Sequence, residues 1–325
     1  MISQHAVTKT SARLLLGATM LATAAGGAFA QGVPESDEPI KMTINDWTGQ
    51  EITTKVMGSV LEEMGYNVEY VQADYLAQFA GLESGDLDVA MEIWETTGKD
   101  ALEASLKTGN TVDLGETGME AKEEWWFPAY LKEDCPGLPD WKALNDCAEL
   151  FASPETSPKG RYLGGPVTWG GHDEERIEAL GLNYEVIHAG TDAALLAELK
   201  SAYQRKKPIL TWIYAPHWAP IEFEGEWIQF PEYEDACYND PKWGTNPDKA
   251  YDCGKPHGWI KAVGWAGGEK EWPAAYEAIR NFTMTNDDMG DMIGKVDVEG
   301  MPLDMVVSEW LENHQDTWKS WIPKN

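Results

Sequence analysis

Three stretches of the chain each deliver a large aromatic ring to a polar or glycine-rich turn. The first is Val89-Ala90-Met91-Glu92-Ile93-Trp94, followed by Glu95-Thr96-Thr97-Gly98. The second is Gly164-Gly165-Pro166-Val167-Thr168-Trp169-Gly170-Gly171. The third is Pro208-Ile209-Leu210-Thr211-Trp212-Ile213, which turns through Ala215-Pro216 with Tyr214, His217 and Trp218 beside the turn. Rings that converge can hold a cation that has no N–H to donate. A quaternary ammonium or sulfonium is attracted to the negative faces of aromatic rings, at about 0.5–2 kcal/mol per ring. Trp169-Gly170-Gly171-His172 adds a second chemistry. It precedes a helix expected to begin near Asp173, whose first backbone N–H groups can receive an anion such as a carboxylate, and the glycines permit close approach. A cation cage beside an anion nest describes a zwitterion. Asp46, Glu92 and Glu95 stand near the rings and could pair with an amine, although solvation or helix capping accounts for them more simply. His172 and His217 belong to the residue type that titrates near neutrality, and both read as surface histidines.

Sixteen Trp residues are more than a core of this size requires. A buried indole needs a partner for its N–H, so a surplus points to rings used in recognition. Some are structural by pattern. Trp310 and Trp318 fall at helical spacing with Met305, Val306 and Leu311, which places them in a core stripe. Trp125 and Trp126 read as packing at a hinge, and Trp212 and Trp218 as packing or rim.

The rings need strands to carry them. Large rings at the C-terminal end of a strand face the ligand crevice of an open α/β sheet. Lys41–Ile44 is a short strand ending at Asn45-Asp46-Trp47-Thr48-Gly49. A helix follows with Ile52, Val56, Val60, Leu61 and Met64 on one face, closed by Gly65. Strand 68–71, a helix from about Tyr75 to Glu83 and the strand reaching Trp94 complete a β-α-β-α-β unit, which implies a parallel sheet. Helix 99–107, strand 111–117 and an extended segment 124–131 come next. A second unit runs through strand 161–164, helix 173–181, strand 184–188, helix 192–204 and strand 208–213. Residues 132–158 and 231–257 are loop-rich. Strand 258–263 and helices at about 268–282, 285–294 and 301–319 close the chain.

Composition sets the frame. A chain of 325 residues accommodates two domains. Residues 1–30 read as a cleavable signal peptide: Lys9 and Arg13, the apolar run Leu14–Ala24, then Ala28-Phe29-Ala30. The apolar run is too short to span a bilayer. Four cysteines in an exported chain favour disulfides. Of three pairings, the local one, Cys135–Cys147 with Cys237–Cys253, closes two short loops and is preferred; the spacings match no usual zinc pattern. The formal net charge is −30, which opposes nucleic acid and anionic membranes as partners and is compatible with a cationic ligand. No Cys-x-x-Cys, P-loop, Gly-x-Ser-x-Gly or His-Glu-x-x-His is present, so no enzyme class is favoured and no cofactor or metal is expected.

The Asn45-Asp46-Trp47 loop, the stretch LESGDLDVAMEIW and the stretch PILTWIYAPHW, behind a signal peptide, resemble the periplasmic binding proteins of betaine ABC importers, the glycine betaine/proline betaine (ProX/OpuAC) family. The resemblance covers about residues 40–322. It implies a type II periplasmic binding protein: two α/β lobes joined by two crossover strands, with the ligand in the cleft. The lobes would be 32–131 with 257–325, and 132–256. It implies Trp94 and Trp169 as cage rings, with Tyr214 where the compared family member has Trp. The backbone of Gly170 and Gly171 would hold the carboxylate, with His172 beside it, and Trp47 is a candidate fourth wall by position alone. The implied ligand is a small methylated zwitterion such as glycine betaine, proline betaine or dimethylsulfoniopropionate, the implied partner an inner-membrane ABC permease, and the expected state a periplasmic monomer. A polyamine receptor and a Trp-lined carbohydrate-binding protein are the other classes open to such a composition. A polyamine would draw on carboxylates for each amine; a linear sugar platform would not need the glycine turn.

Overall fold

The computed structural model describes residues 32–324, so the expected signal peptide at 1–30 lies outside them. Nine strands form one mixed sheet: β1 (Ile40–Ile44), β2 (Val68–Gln72), β3 (Val89–Trp94), β4 (Thr111–Pro128), β5 (Gly160–Gly164), β6 (Tyr184–His188), β7 (Thr211–Ala215), β8 (Gly225–Trp227) and β9 (Gly258–Trp265). Their order is β2-β1-β3-β9-β4-β7-β5-β6, with β8 on β4. β1 lies parallel to β2 and β3, and β5 parallel to β6 and β7. Each parallel triplet is built from successive β-α-β units, through helices Thr48–Glu63 and Gln78–Ser84 in the first and Asp173–Leu180 and Asp192–Gln204 in the second. These are the two α/β lobes anticipated from the alternation of elements. β9 and β4 join them as antiparallel strands.

The expected strand 111–117 and extended segment 124–131 are parts of one strand of 18 residues, β4. Its first part pairs with β9 as far as Ala121; from Lys122 to Trp126 it pairs with β7 and from Trp126 to Pro128 with β8. Glu123 to Pro128 are buried without alternation, since β4 is covered on both faces there. Trp125 and Trp126 are therefore fully enclosed where the two halves of the sheet meet.

Local chemistry sets the helix limits. Gly65, at φ 97°, follows the first helix and returns its N–H to Glu62. Thr191 and Thr285 cap the helices Asp192–Gln204 and Asn286–Asp297 with their hydroxyls. The helix expected at 99–107 begins four residues earlier, at Glu95, directly after Trp94. Gly98 within it is required by close approach: a Cβ there would stand 2.3 Å from the Tyr75 hydroxyl. The segment 132–158, expected as loop, holds a 3-10 run, Trp141–Phe151, whose Leu144, Cys147, Ala148 and Phe151 are buried.

Both local disulfides are formed, Cys135–Cys147 and Cys237–Cys253. Trp310 is buried and Trp318 packs partly buried against the core, as their spacing indicated. His217 corrects the surface reading: it is 1% exposed, with its ring against Tyr214 and Trp218. Among the described residues no helix is long and apolar enough to cross a membrane.

Candidate functional site

Four of the anticipated rings meet at one cavity. Trp94 ends β3, a strand buried along its whole length. Trp47 stands between β1 and the helix Thr48–Glu63, in extended backbone. Trp169 ends the 3-10 turn Val167–Trp169 that follows β5, and Tyr214 lies in β7. Trp47 and Trp94 thus come from one lobe, Trp169 and Tyr214 from the other. The neighbours stand edge to face: Trp47–Trp169 at 5.6 Å and 73°, Trp94–Tyr214 at 5.7 Å and 89°, Trp169–Tyr214 at 6.1 Å and 86°. Near-perpendicular neighbours are favoured by the ring quadrupoles, and the arrangement makes walls of a box. The cavity has an empty volume of about 270 Å³ and is lined by Trp47, Tyr75, Trp94, Thr97, Glu123, Trp169 and Tyr214.

Every wall is tied at its polar end. The indole of Trp47 donates to Glu92 Oε2 at 2.9 Å, and that of Trp94 to the same oxygen at 3.1 Å. The indole of Trp169 donates to Asp46 Oδ1 at 2.8 Å, a bond that spans the two lobes. The Tyr214 hydroxyl donates to Asp192 Oδ1 at 3.1 Å. The backbone N–H of Trp94 donates to the Tyr75 hydroxyl at 2.9 Å, and Tyr75 stands edge to face against Trp47. Asp46 and Glu92 are therefore anchors of indoles, in place of the solvation or capping expected of them. Glu95 accepts the Trp259 N–H and lies 3.8 Å from Lys99.

The one carboxyl group on the cavity wall is Glu123, which sequence reasoning did not single out. It lies on β4 opposite Tyr214 and is 6% exposed. Burial pushes its carboxyl up to about 7, with Lys255 and the hydroxyl of Thr96 pulling the other way. Thr97 and Tyr75 were also missed. The available signal for Glu123 was the acidic pair Glu123-Glu124 set against the apolar run Trp125-Trp126-Phe127. Its partner Glu124 belongs to a separate buried network: Arg176 pairs with it at 2.8 Å and with Asp173 at 3.5 Å, and Lys255 lies 3.6 Å from Asp173.

The expected anion nest is not among the groups lining the cavity. Gly170, at φ 81°, gives its N–H to Val167, and the carbonyl of Gly171, at φ 130°, accepts from Lys255 at 2.6 Å. A Cβ on Gly171 would lie 2.4 Å from the Trp212 ring, so close packing and backbone conformation require this glycine. His172 stacks on Tyr251 at 4.3 Å and lines a different groove with Glu95, Asp100 and Tyr238. Burial lowers its pKa. Trp212 is buried beneath Lys255, whose ammonium sits 3.9 Å over the ring.

Behind Tyr214, Asp192, His217 and Asp297 offer three ligand atoms within 4.8 Å of one another. His217 Nδ1 accepts the Ala219 N–H at 3.0 Å, so the neutral ring carries its proton on Nε2, the atom facing Asp297 at 3.9 Å. Burial pulls this histidine down to about 3. It pushes Asp192 up to about 8, with Asp297 adding to the rise. That proton placement argues against a metal site, which would need Nε2 bare.

Residues 38–313 match the family described as the substrate-binding domain of ABC-type glycine betaine transport systems. The chain is 32% identical over 296 residues to the trimethylamine N-oxide-binding protein of Pelagibacter ubique, covering 87% of this chain and 90% of that one. It is 25% identical over 329 residues to the glycine betaine/proline betaine-binding periplasmic protein of Escherichia coli, covering 94% of each. The crystal structure of the glycine betaine, L-proline-binding protein from Borrelia burgdorferi superposes with a TM-score of 0.70 at 22% identity, over 88% of this chain and 97% of that one. The shared fold is that of type II periplasmic binding proteins.

Proposed function

The chain belongs to the family of substrate-binding domains of ABC-type glycine betaine transport systems, and from that premise we propose that it captures a small methylated cation bearing an anionic oxygen. Trimethylamine N-oxide is our first candidate, glycine betaine the second. The observation that carries this reading is the single cavity around which Trp47, Trp94, Trp169 and Tyr214 stand as four walls drawn from both lobes. Four desolvated rings at about 0.5–2 kcal/mol each supply roughly 2–8 kcal/mol. That is the scale of a micromolar complex, about −8 kcal/mol, with the remainder and the cost of association met by apolar burial and polar contacts.

Size and the polar wall order the candidates. The four rings close tightly with Tyr75, Thr97 and Glu123 around the cavity, which favours a ligand much smaller than drug size. The Gly170-Gly171 turn lies outside the cavity lining and Glu123 lies within it, so we assign the anionic oxygen to Glu123. A carboxyl raised to about 7 is protonated in a large fraction at neutral pH and can donate to an oxyanion held one bond from the methylated nitrogen. A carboxylate on a longer arm, as in dimethylsulfoniopropionate, or a ring closed on the nitrogen, as in proline betaine, needs more room. The relative named for trimethylamine N-oxide adds weight to the same ordering.

In this reading the lobes are 32–131 with 257–325, and 132–256. They close over the ligand by a hinge motion and present it to an inner-membrane ABC permease from the periplasm, the protein acting as a monomer. Calorimetric titration of the protein lacking residues 1–30, at one salt concentration, tests it. The ligands are trimethylamine N-oxide, glycine betaine, dimethylsulfoniopropionate, choline and spermidine. Micromolar binding led by trimethylamine N-oxide is the expected result. Binding of spermidine alone would transfer the function to the acidic residues, and no heat from any of the five would remove the cage reading.

A further inference from the structure

Glu92 sits behind the box and faces none of the cavity. It lies on β3 two residues before Trp94 and is 1% exposed. Its Oε2 accepts both indole N–H groups, from Trp47 and Trp94, while Oε1 lies 2.5 Å from the hydroxyl of Thr53 on the helix Thr48–Glu63. Burying a carboxyl group beside neutral partners costs stability that an apolar residue would not. A purely structural role needs no more than one acceptor for each indole, wherever it comes from. Here one oxygen serves two walls, so the position of each ring depends on the other.

The contacts are complete with the acid neutral. The Thr53 hydroxyl also lies 3.0 Å from the Gly49 carbonyl, to which it can donate while receiving the Glu92 proton. Oε2 then remains free for both indoles. Burial drives the carboxyl toward this protonated form, against the three hydrogen bonds.

We propose that Glu92 is a positioning residue of the box, with its Oε2 holding the Trp47 and Trp94 walls at the tilt that meets Trp169 and Tyr214 of the other lobe. This rests on the reading of the cavity as a methylated-cation site. Two walls fixed at one atom cannot part independently, so the box selects by size. Removing the shared acceptor leaves two buried indole N–H groups unpartnered and lets the rings turn.

The test compares Glu92→Gln with Glu92→Met. Gln keeps a carbonyl for both indoles and an N–H for Thr53; Met keeps the bulk and leaves only a weakly accepting thioether. Tetramethylammonium and tetraethylammonium serve as probes, with thermal melting to verify folding. Glu92→Gln is expected to bind tetramethylammonium within about threefold of the parent. Glu92→Met is expected to lose at least tenfold for tetramethylammonium and much less for tetraethylammonium, so that the preference between them collapses. In ligand-free protein the indole N–H resonances of Trp47 and Trp94 should both move in Glu92→Met and hold in Glu92→Gln. A folded Glu92→Met with parental affinity, parental preference and unmoved indole signals would overturn the proposal. Should that variant not fold, Trp47→Phe replaces it: it removes one donor and keeps a ring, and the Trp94 indole signal must then move. If the parent protein binds neither probe, the functional reading fails, while the indole signals still decide the role of Glu92.

Discussion

Replacing Glu123 by Gln separates a carboxyl that donates from one that merely fills space. Burial holds the Glu123 carboxyl near 7 on the cavity wall. One pH unit on either side changes its protonated to ionised ratio about tenfold. Below 7 the protonated group donates to the ligand oxygen. Hydrogen bonds to charged groups contribute about 1.5–3 kcal/mol, which corresponds to roughly 10- to 150-fold in affinity. Above 7 the donor is lost and two negative groups face each other. Affinity for trimethylamine N-oxide should therefore hold from pH 5.5 to about 7 and fall by up to about tenfold per unit above it. Gln carries N–H donors at every pH, so the Glu123→Gln variant should bind with a flat profile across the same range. Choline, a cation without an anionic oxygen, should run the other way in the parent protein and bind better as Glu123 ionises. Calorimetry at half-unit pH steps reads all three profiles. A flat parental profile, or the same slope in the Gln variant, would refute the assignment of the oxygen to Glu123.

Three further outcomes are expected. Trp94→Ala and Trp169→Ala should each weaken ligand binding more than tenfold, since each removes a desolvated ring face and an edge-to-face neighbour; titration of the folded variants measures it. His172→Ala should leave affinity within about twofold, because its ring stacks on Tyr251 outside the cavity. Asp192 is held near 8 in the folded protein, well above its ordinary 3.8. The folded state thus retains a proton that the unfolded state releases, and the associated stability is present at low pH and lost as pH rises through 8. Melting temperature should accordingly fall between pH 6 and 9, and Asp192→Asn should reduce that fall.

The strand-end rings were legible because an apolar run that stops at an aromatic needs only local pattern and the rule that crevices open at strand ends. Trp94 and Trp169 stand out by it and Trp47 by its position, while Tyr214 is singled out from Trp212, His217 and Trp218 only by its register with the resembled family; the two β-α-β-α-β units follow from periodicity. Tyr75 and Glu123 are not legible in this way. Tyr75 sits in the connection after β2, and Glu123 reaches the cavity because β4 changes partner from β9 to β7 just before it. Neither placement is written locally, although the acidic pair Glu123-Glu124 before Trp125 marks Glu123 as unusual. The Gly170-Gly171 turn is hard to read for a different reason: glycine at positive φ packed against Trp212 looks, in sequence, the same as glycine left open for an anion. His217 read as exposed because burial of an imidazole depends on what closes over it, here Tyr214 and Trp218.

The walls of the box come in two pairs from two lobes, and the Asp46–Trp169 bond closes one seam between them. On the proposed hinge motion, an open molecule would hold two half-boxes, each with its rings turned to water. Opening therefore breaks ring contacts of both pairs together, and whatever draws the lobes apart must supply the free energy those contacts give to a bound ligand.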